Sequence, residues 1–187
     1  MIILAIDPGT HCGYCKSPLE SGTWDLTPKR HEGGGMRYFR LRNYLITACE
    51  GVDLVVYEEV RRHLGTDAAH IYGGIVAIIQ EHCELKEIPY SGIPVGSIKK
   101  YATGKGNSDK QTMLTAARSK WPDIEIKDDN QADALWLWDW AQQEYGSENT
   151  SSLYQLENGK VFDMCPEWLK RWEEDVLAIF KEDRNAE

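Results

Sequence analysis

The chain is predicted to be an α/β protein with a mixed sheet, and three observations carry that expectation. Residues 2–6 and 53–57 are short apolar runs rich in β-branched residues, each followed by acidic residues, the pattern of strands buried on both faces. Several longer stretches repeat apolar residues with helical period. The elements run as three early strands, then helix and strand in alternation, then helices, an order that a mixed sheet flanked by helices satisfies.

Ile2-Ile3-Leu4-Ala5-Ile6 reads as the first strand and Asp7-Pro8-Gly9-Thr10 as turn chemistry. Two further strands are expected near 13–17 and 21–27. Gly33-Gly34-Gly35 marks a break before a helix over 36–48, whose stripe is Met36, Phe39, Leu41, Leu45, Ile46 and Ala48. Residues 53–57 form the fourth strand, ending in Glu58-Glu59. After a basic loop over 61–66, Asp67 caps a helix reaching about residue 84. The fifth strand is expected over 85–90, closed by Ser91-Gly92, with a helix over 94–103 behind it. Gly104-Lys105-Gly106-Asn107 is a loop. Ser108 caps a helix that Pro122 stops, and a core helix spans 129–145.

GSENTSS, from Gly146, is polar and reads as a linker. The expected organisation is therefore a domain over 1–146 and a C-terminal extension over 147–187. The extension suits a hairpin at Asn158-Gly159 and a helix over 166–181. Trp168, Trp172, Val176 and Ile179 give that helix an apolar stripe, against its own domain or a partner subunit.

Of the 187 residues, 42% are apolar and 27% charged, the composition of a soluble globular protein. No apolar run reaches the ~18–20 residues needed to cross a bilayer, and the N-terminus lacks the basic start of a secretory signal. Five irregularly spaced cysteines fit a reducing cytoplasm better than a disulfide framework. Cys12-Gly13-Tyr14-Cys15 is a CxxC with no second ligand pair of suitable spacing; in a strand its thiols point to opposite faces.

Chemistry gathers at the acids. Asp7 and Glu58 each follow a buried strand. If those strands are parallel neighbours, their carboxylates lie side by side, about 4.8 Å apart, at the edge where α/β sheets place their sites. A third group is Asp128-Asp129-Asn130-Gln131-Ala132-Asp133. At about 100° per helical residue, Asp129 stands about 40° from Asp133 on one side and Asn130 about 60° on the other. Inward-facing aspartates need a cation or donor to offset desolvation. Oxygen-only ligands suit Mg²⁺ or Mn²⁺, and two such ions suit in-line phosphodiester cleavage.

These residues resemble the RuvC family of Holliday-junction resolvases, within the RNase H-like superfamily. Ile6-Asp7-Pro8-Gly9-Thr10 resembles the family's first strand motif, Val56-Tyr57-Glu58-Glu59-Val60 its second, and Ala132-Asp133-Ala134-Leu135 its last helix. Ile98-Lys99-Lys100 and Ser108-Asp109-Lys110 resemble its two lysine-bearing segments. TGKGNSDK looks most like phage-type members. The resemblance spans roughly 2–145. It implies an RNase H-like fold with a five-stranded sheet, metal ligation by Asp7, Glu58 and Asp133, and a homodimer that nicks four-way DNA junctions in pairs. The family usually has an acid or His three residues before the last Asp; that position here is Asn130. Helix geometry favours Asp129 as the fourth ligand, and the sequence leaves the choice between them open.

The net charge of −9 is unevenly spread. Residues 141–187 carry −6 and residues 1–140 carry −3, which two divalent ions would turn to +1. Residues 95–121 carry +5, from Lys99, Lys100, Lys105, Lys110, Arg118 and Lys120 against Asp109. Arg61-Arg62-His63 follows the Glu58 strand. Arg61, Arg62, Lys99, Lys100, Lys105 and Lys110 are thus candidate phosphate contacts, with Lys110 placed to stabilise charge at the cut phosphate. Tyr72 lies on the helix that the family uses to line its DNA cleft; it either stacks at a branch point or packs in the core. The expected activity is that of a crossover junction endodeoxyribonuclease with two Mg²⁺ or Mn²⁺ per active site, acting on branched DNA without a membrane. Alternatives are a flap nuclease or RNase H-type ribonuclease on the same fold, a kinase-like ATPase (opposed by the lack of a second lobe) and a junction-binding protein with a decayed site.

Overall fold

The computed structural model describes residues 1–61 and 65–146. Arg62 and His63 lie outside the described residues, as do the expected hairpin and final helix. The elements are β1 (Ile3–Asp7), β2 (His11–Ser17), β3 (Glu20–Asp25), α1 (Met36–Ala48), β4 (Leu54–Glu59), α2 (Thr66–Leu85), β5 (Tyr90–Pro94), α3 (Val95–Thr103), α4 (Lys110–Lys120) and α5 (Asp129–Tyr145). The sheet order is β3-β2-β1-β4-β5. β1, β2 and β3 pair antiparallel, whereas β1–β4 and β4–β5 are parallel. This is the mixed five-stranded sheet with flanking helices that the sequence predicts.

Strand alternation sorts the core into two layers. Ile3 and Ala5 of β1 join Leu54 and Val56 of β4, Cys15, and Ala134, Leu135 and Leu137 of α5. Leu4 and Ile6 join Val55 and Tyr57, Cys12, Leu41 and Leu45 of α1, and Ile75 and Ile79 of α2. Cys12 and Cys15 are free and buried in opposite layers, as their spacing on a strand requires. Among the described residues no helix is long and apolar enough to cross a membrane.

Three local expectations are corrected. The fifth strand is Tyr90–Pro94, not 85–90, because α2 runs on through Leu85 before closing. The Ile88 amide reaches back to the Cys83 carbonyl at 2.9 Å, and Ile88 packs on the α1/α2 core layer, so an apolar pattern suggesting a strand caps a helix instead. Asp109, not Ser108, caps α4, accepting the Thr112 amide at 2.8 Å. The Ser108 hydroxyl turns back to the Lys105 carbonyl at 3.1 Å. Asp67 lies in the first turn of α2, whose cap position is Gly65 with no side-chain hydrogen bond.

Candidate active site

The parity that builds the core also aims the acids. Asp7 continues the Ile3, Ala5 side of β1, and Glu58 continues the Leu54, Val56 side of β4, so both face the α5 layer. Ile6 pairs with Tyr57 in the parallel register, which sets Asp7 beside Glu58 at the C-terminal edge of both strands. The expected convergence therefore follows from register, and Glu58 and Glu59 belong to β4 itself.

The third acid arrives because α5 lies unusually close to the sheet. Gly13 of β2 pairs with Asp7 and faces α5. A Cβ on Gly13 would fall 2.1 Å from the Asn130 carbonyl oxygen and 3.2 Å from Ala134 Cβ. Only glycine leaves room there for the first turn of α5. The helix start is fixed on the β2–β3 hairpin. Asp128 accepts the Gln131 amide at 2.8 Å and the Thr23 hydroxyl at 2.7 Å. The buried Gln131 side chain donates to Ser21 Oγ at 3.1 Å. The CxxC pattern of the segment gives Gly13 no role. A glycine inside a strand beside a candidate ligand was the available signal.

The resulting electrostatics are lopsided. Burial, then the Glu58 and Asp133 carboxylates, hold Asp7 well above the usual carboxylate range, with Lys110 acting the other way. Burial and Asp133 push Glu58 up to about 7, against Lys99 and Lys110. Burial raises Asp133 to about 6, opposed by Lys110 and assisted by Asp129. Asp129 differs: it accepts a hydrogen bond from Lys110, which lowers its pKa and raises that of Lys110. Asp7, Glu58 and Asp133 thus share one field with too little positive charge.

That donor set is all oxygen and suits a hard divalent cation by its chemistry. In the present arrangement, no three His, Cys, Asp or Glu side chains among the described residues are grouped closely enough to close round an ion.

The lysines are placed by a tied loop. The Lys99 ammonium donates to the Ser108 carbonyl at 2.9 Å, while Thr103 Oγ1 donates to the Lys99 carbonyl at 2.8 Å. Gly104 takes the left-handed conformation, φ 77°, which turns the chain out of α3. Lys99 and Lys110 act on the acids, whereas Lys100 and Lys105 are solvent-exposed around the same loop. Arg61 is exposed and pairs with Glu59 at 3.0 Å. The half-buried Tyr72 hydroxyl donates to the Glu58 carbonyl at 2.9 Å and accepts from the Val60 amide at 3.0 Å, fastening the end of β4 to α2.

A five-stranded sheet of this order, with helices on both faces and acids at the β1/β4 edge facing the last helix, defines an RNase H-like fold of the RuvC type. Comparison with solved structures agrees. RuvC of Thermus thermophilus superposes with a TM-score of 0.60 at 19% sequence identity, over 73% of this chain and 90% of that one. T. thermophilus RuvC in complex with Holliday junction substrate gives 0.57, with the same identity and coverage. At that identity the likeness is one of fold. No protein-family model and no curated protein matches the sequence.

Proposed function

We propose that this protein is a divalent-metal-dependent endonuclease that cuts branched DNA, four-way junctions in particular, as a homodimer. The observation that carries the reading is the convergence of Asp7, Glu58 and Asp133 from three elements onto one sheet edge, with Lys99 and Lys110 beside them. Three half-buried carboxylates with raised proton affinity are costly without a counter-charge. A site that tolerates them is organised to receive a cation. Asp7, Glu58 and Asp133 would hold Mg²⁺ or Mn²⁺, with Asp129 as the fourth carboxylate, shared with Lys110. Such ions activate water and stabilise the leaving oxygen of a phosphodiester.

The chain's own residues supply the rest. Lys110, hydrogen-bonded to Asp129, holds a positive charge where a phosphate would approach the acids. Lys99, fixed on the Ser108 carbonyl, supports the charge on Glu58. The exposed Lys100, Lys105 and Arg61 contact neighbouring phosphates. Tyr72, through the Glu58 carbonyl, fixes the backbone that carries that carboxylate. The Holliday junction in one structural neighbour supports the choice of substrate.

The test is cleavage of labelled four-way junction, flap, linear duplex and RNA–DNA hybrid with Mg²⁺ or Mn²⁺. Paired symmetric nicks in the junction are expected. Cleavage of the hybrid alone would overturn the reading. Asp7→Asn should abolish cutting and retain junction binding, and Asp129→Asn should impair cutting more than Asn130→Ala.

A further inference from the structure

Three arginines lie on α1, and they are treated differently. Arg40 is held by both oxygens of Glu32, at 2.7 and 2.6 Å, and donates to the Thr27 carbonyl at 2.9 Å. Arg42 pairs with Glu81 at 2.5 Å. Arg37 has no carboxylate partner among the described residues. Its Nε donates to the Gly34 carbonyl and its Nη1 to the Thr10 hydroxyl, both at 3.3 Å. Thr10 ends the turn that leaves β1 after Asp7. The guanidinium is thus pinned at the sheet edge that carries the acids, on the face opposite α5.

Two neutral contacts fix its direction without cancelling its charge. A guanidinium has about five N–H donors in a rigid fork, so a donor edge remains for a planar or tetrahedral anion. A half-buried, pre-oriented arginine loses little side-chain freedom on binding phosphate. The nearby bases strengthen the field: Lys29, Arg30 and His31 are exposed in the loop that leads to α1. The only acid there, Glu32, is taken by Arg40. The glycines at 33–35 bear no crowding, since a Cβ at each would meet nothing within 4 Å. A strand can therefore approach the backbone closely.

We propose that Arg37 binds a backbone phosphate of the nucleic-acid strand on the α1 side of the sheet edge, flanking the phosphate that is cut. The lysines of α3, α4 and their connecting loop hold the strand from the other face, so the acids lie between two phosphate grips. The inference rests on the nuclease reading above and adds a second grip to it. Its ligand is the phosphodiester backbone, read by charge and shape and not by base.

Binding of fluorescent four-way junction to the Asp7→Asn protein, titrated across salt, separates the possibilities. Each phosphate contact contributes about 0.9 to the slope of log affinity against log salt. Arg37→Gln should lower that slope by about one contact and weaken binding about 3- to 10-fold near 0.1 M salt. Arg37→Lys should restore most of the slope, which a folding defect would not allow. If Lys105→Gln lowers the slope and Arg37→Gln leaves it unchanged, this inference is overturned and the nuclease reading stands. If the unsubstituted chain binds no nucleic acid, the nuclease reading falls and takes this inference with it.

Discussion

Two of the half-buried aspartates on helix α5, Asp133 and Asp139, have opposite surroundings. Asp139 accepts the Tyr101 hydroxyl at 2.6 Å and a hydrogen bond from Lys120. The Lys120 ammonium also sits 5.6, 5.3 and 5.1 Å from the ring centres of Tyr101, Trp121 and Trp136, within cation–π range. Asp133 makes no such hydrogen bond or ion pair among the described residues; Lys110 and Lys99 act on it without pairing with it, and both also serve Glu58 while Lys110 serves Asp7 and Asp129. One aspartate is answered by its own chain, and the other is not; the metal-dependent reading proposed above assigns its counter-charge to a cation. A charge that folding fully satisfies serves the fold. A charge that folding leaves short of partners destabilises the fold, and the natural account of its presence is a ligand that supplies the missing charge.

That contrast can be broken first by paired substitution. Asp133→Asn should cut nicking more than about a hundredfold, with a thermal midpoint equal to or above that of the unsubstituted protein. Asp139→Asn should do the reverse, costing about 1–3 kcal/mol of stability through its lost charged hydrogen bonds while folded protein nicks normally. Nicking assayed well below both midpoints, with thermal melts of each variant, checks this. Equal behaviour of the two variants would remove the distinction.

The next effect tests the seat of α5. Gly13→Ala sets a methyl against the Asn130 carbonyl, and overpacking of this kind costs about 1–3 kcal/mol. The helix must move away from Asp7, so nicking should fall along with stability. Gly22→Ala serves as a comparison: the nearest atoms it meets belong to the Tyr14 side chain, from 3.2 Å, and it should spare nicking. Urea melts and nicking of both variants decide the matter.

A smaller effect is expected with pH. Folding raises Glu58 from 4.5 to about 7 and Asp133 from 3.8 to about 6, so the folded protein holds protons that the unfolded chain has released. Stability without divalent ions should therefore fall as pH rises from about 4 to about 7, by about 1–3 kcal/mol. Glu58→Gln should flatten that slope, and added Mg²⁺ or Mn²⁺ should offset it near pH 7.5. Chemical denaturation across pH, with and without the ion, measures both. A slope unchanged in Glu58→Gln would show that this carboxylate is not held protonated by the fold.

The sheet and most helices were legible from hydrophobic period. The α1 range of 36–48 and the α5 range of 129–145 match the predicted spans. The placement of Asp7 and Glu58 at neighbouring strand ends was legible as well, because strand ends place residues by rules that need no partner. The fifth strand was misplaced because Leu85 and Ile88 are apolar whether they extend a strand or close a helix, and only the packing of α2 distinguishes the two. The cap was assigned to Ser108 and lies one residue on, at Asp109, since adjacent residues both carry side-chain oxygens able to accept a backbone N–H.

By itself, the sequence determined the two-faced strands and the acids at their ends, which follow from chain-local periodicity, and the glycine-flanked lysine loop, which follows from composition. Tertiary structure alone decided which charges remain unanswered. It paired Asp129 with Lys110 and Asp139 with Lys120, left Asp133 unpaired beside other carboxylates, and, among the described residues, left Arg37 without a carboxylate while Arg40 and Arg42 found theirs. It also made Gly13 the position on which the approach of α5 depends. Those outcomes depend on distances between residues far apart in the chain, and the strength of a charge interaction depends on that separation and on burial, which only the folded molecule sets.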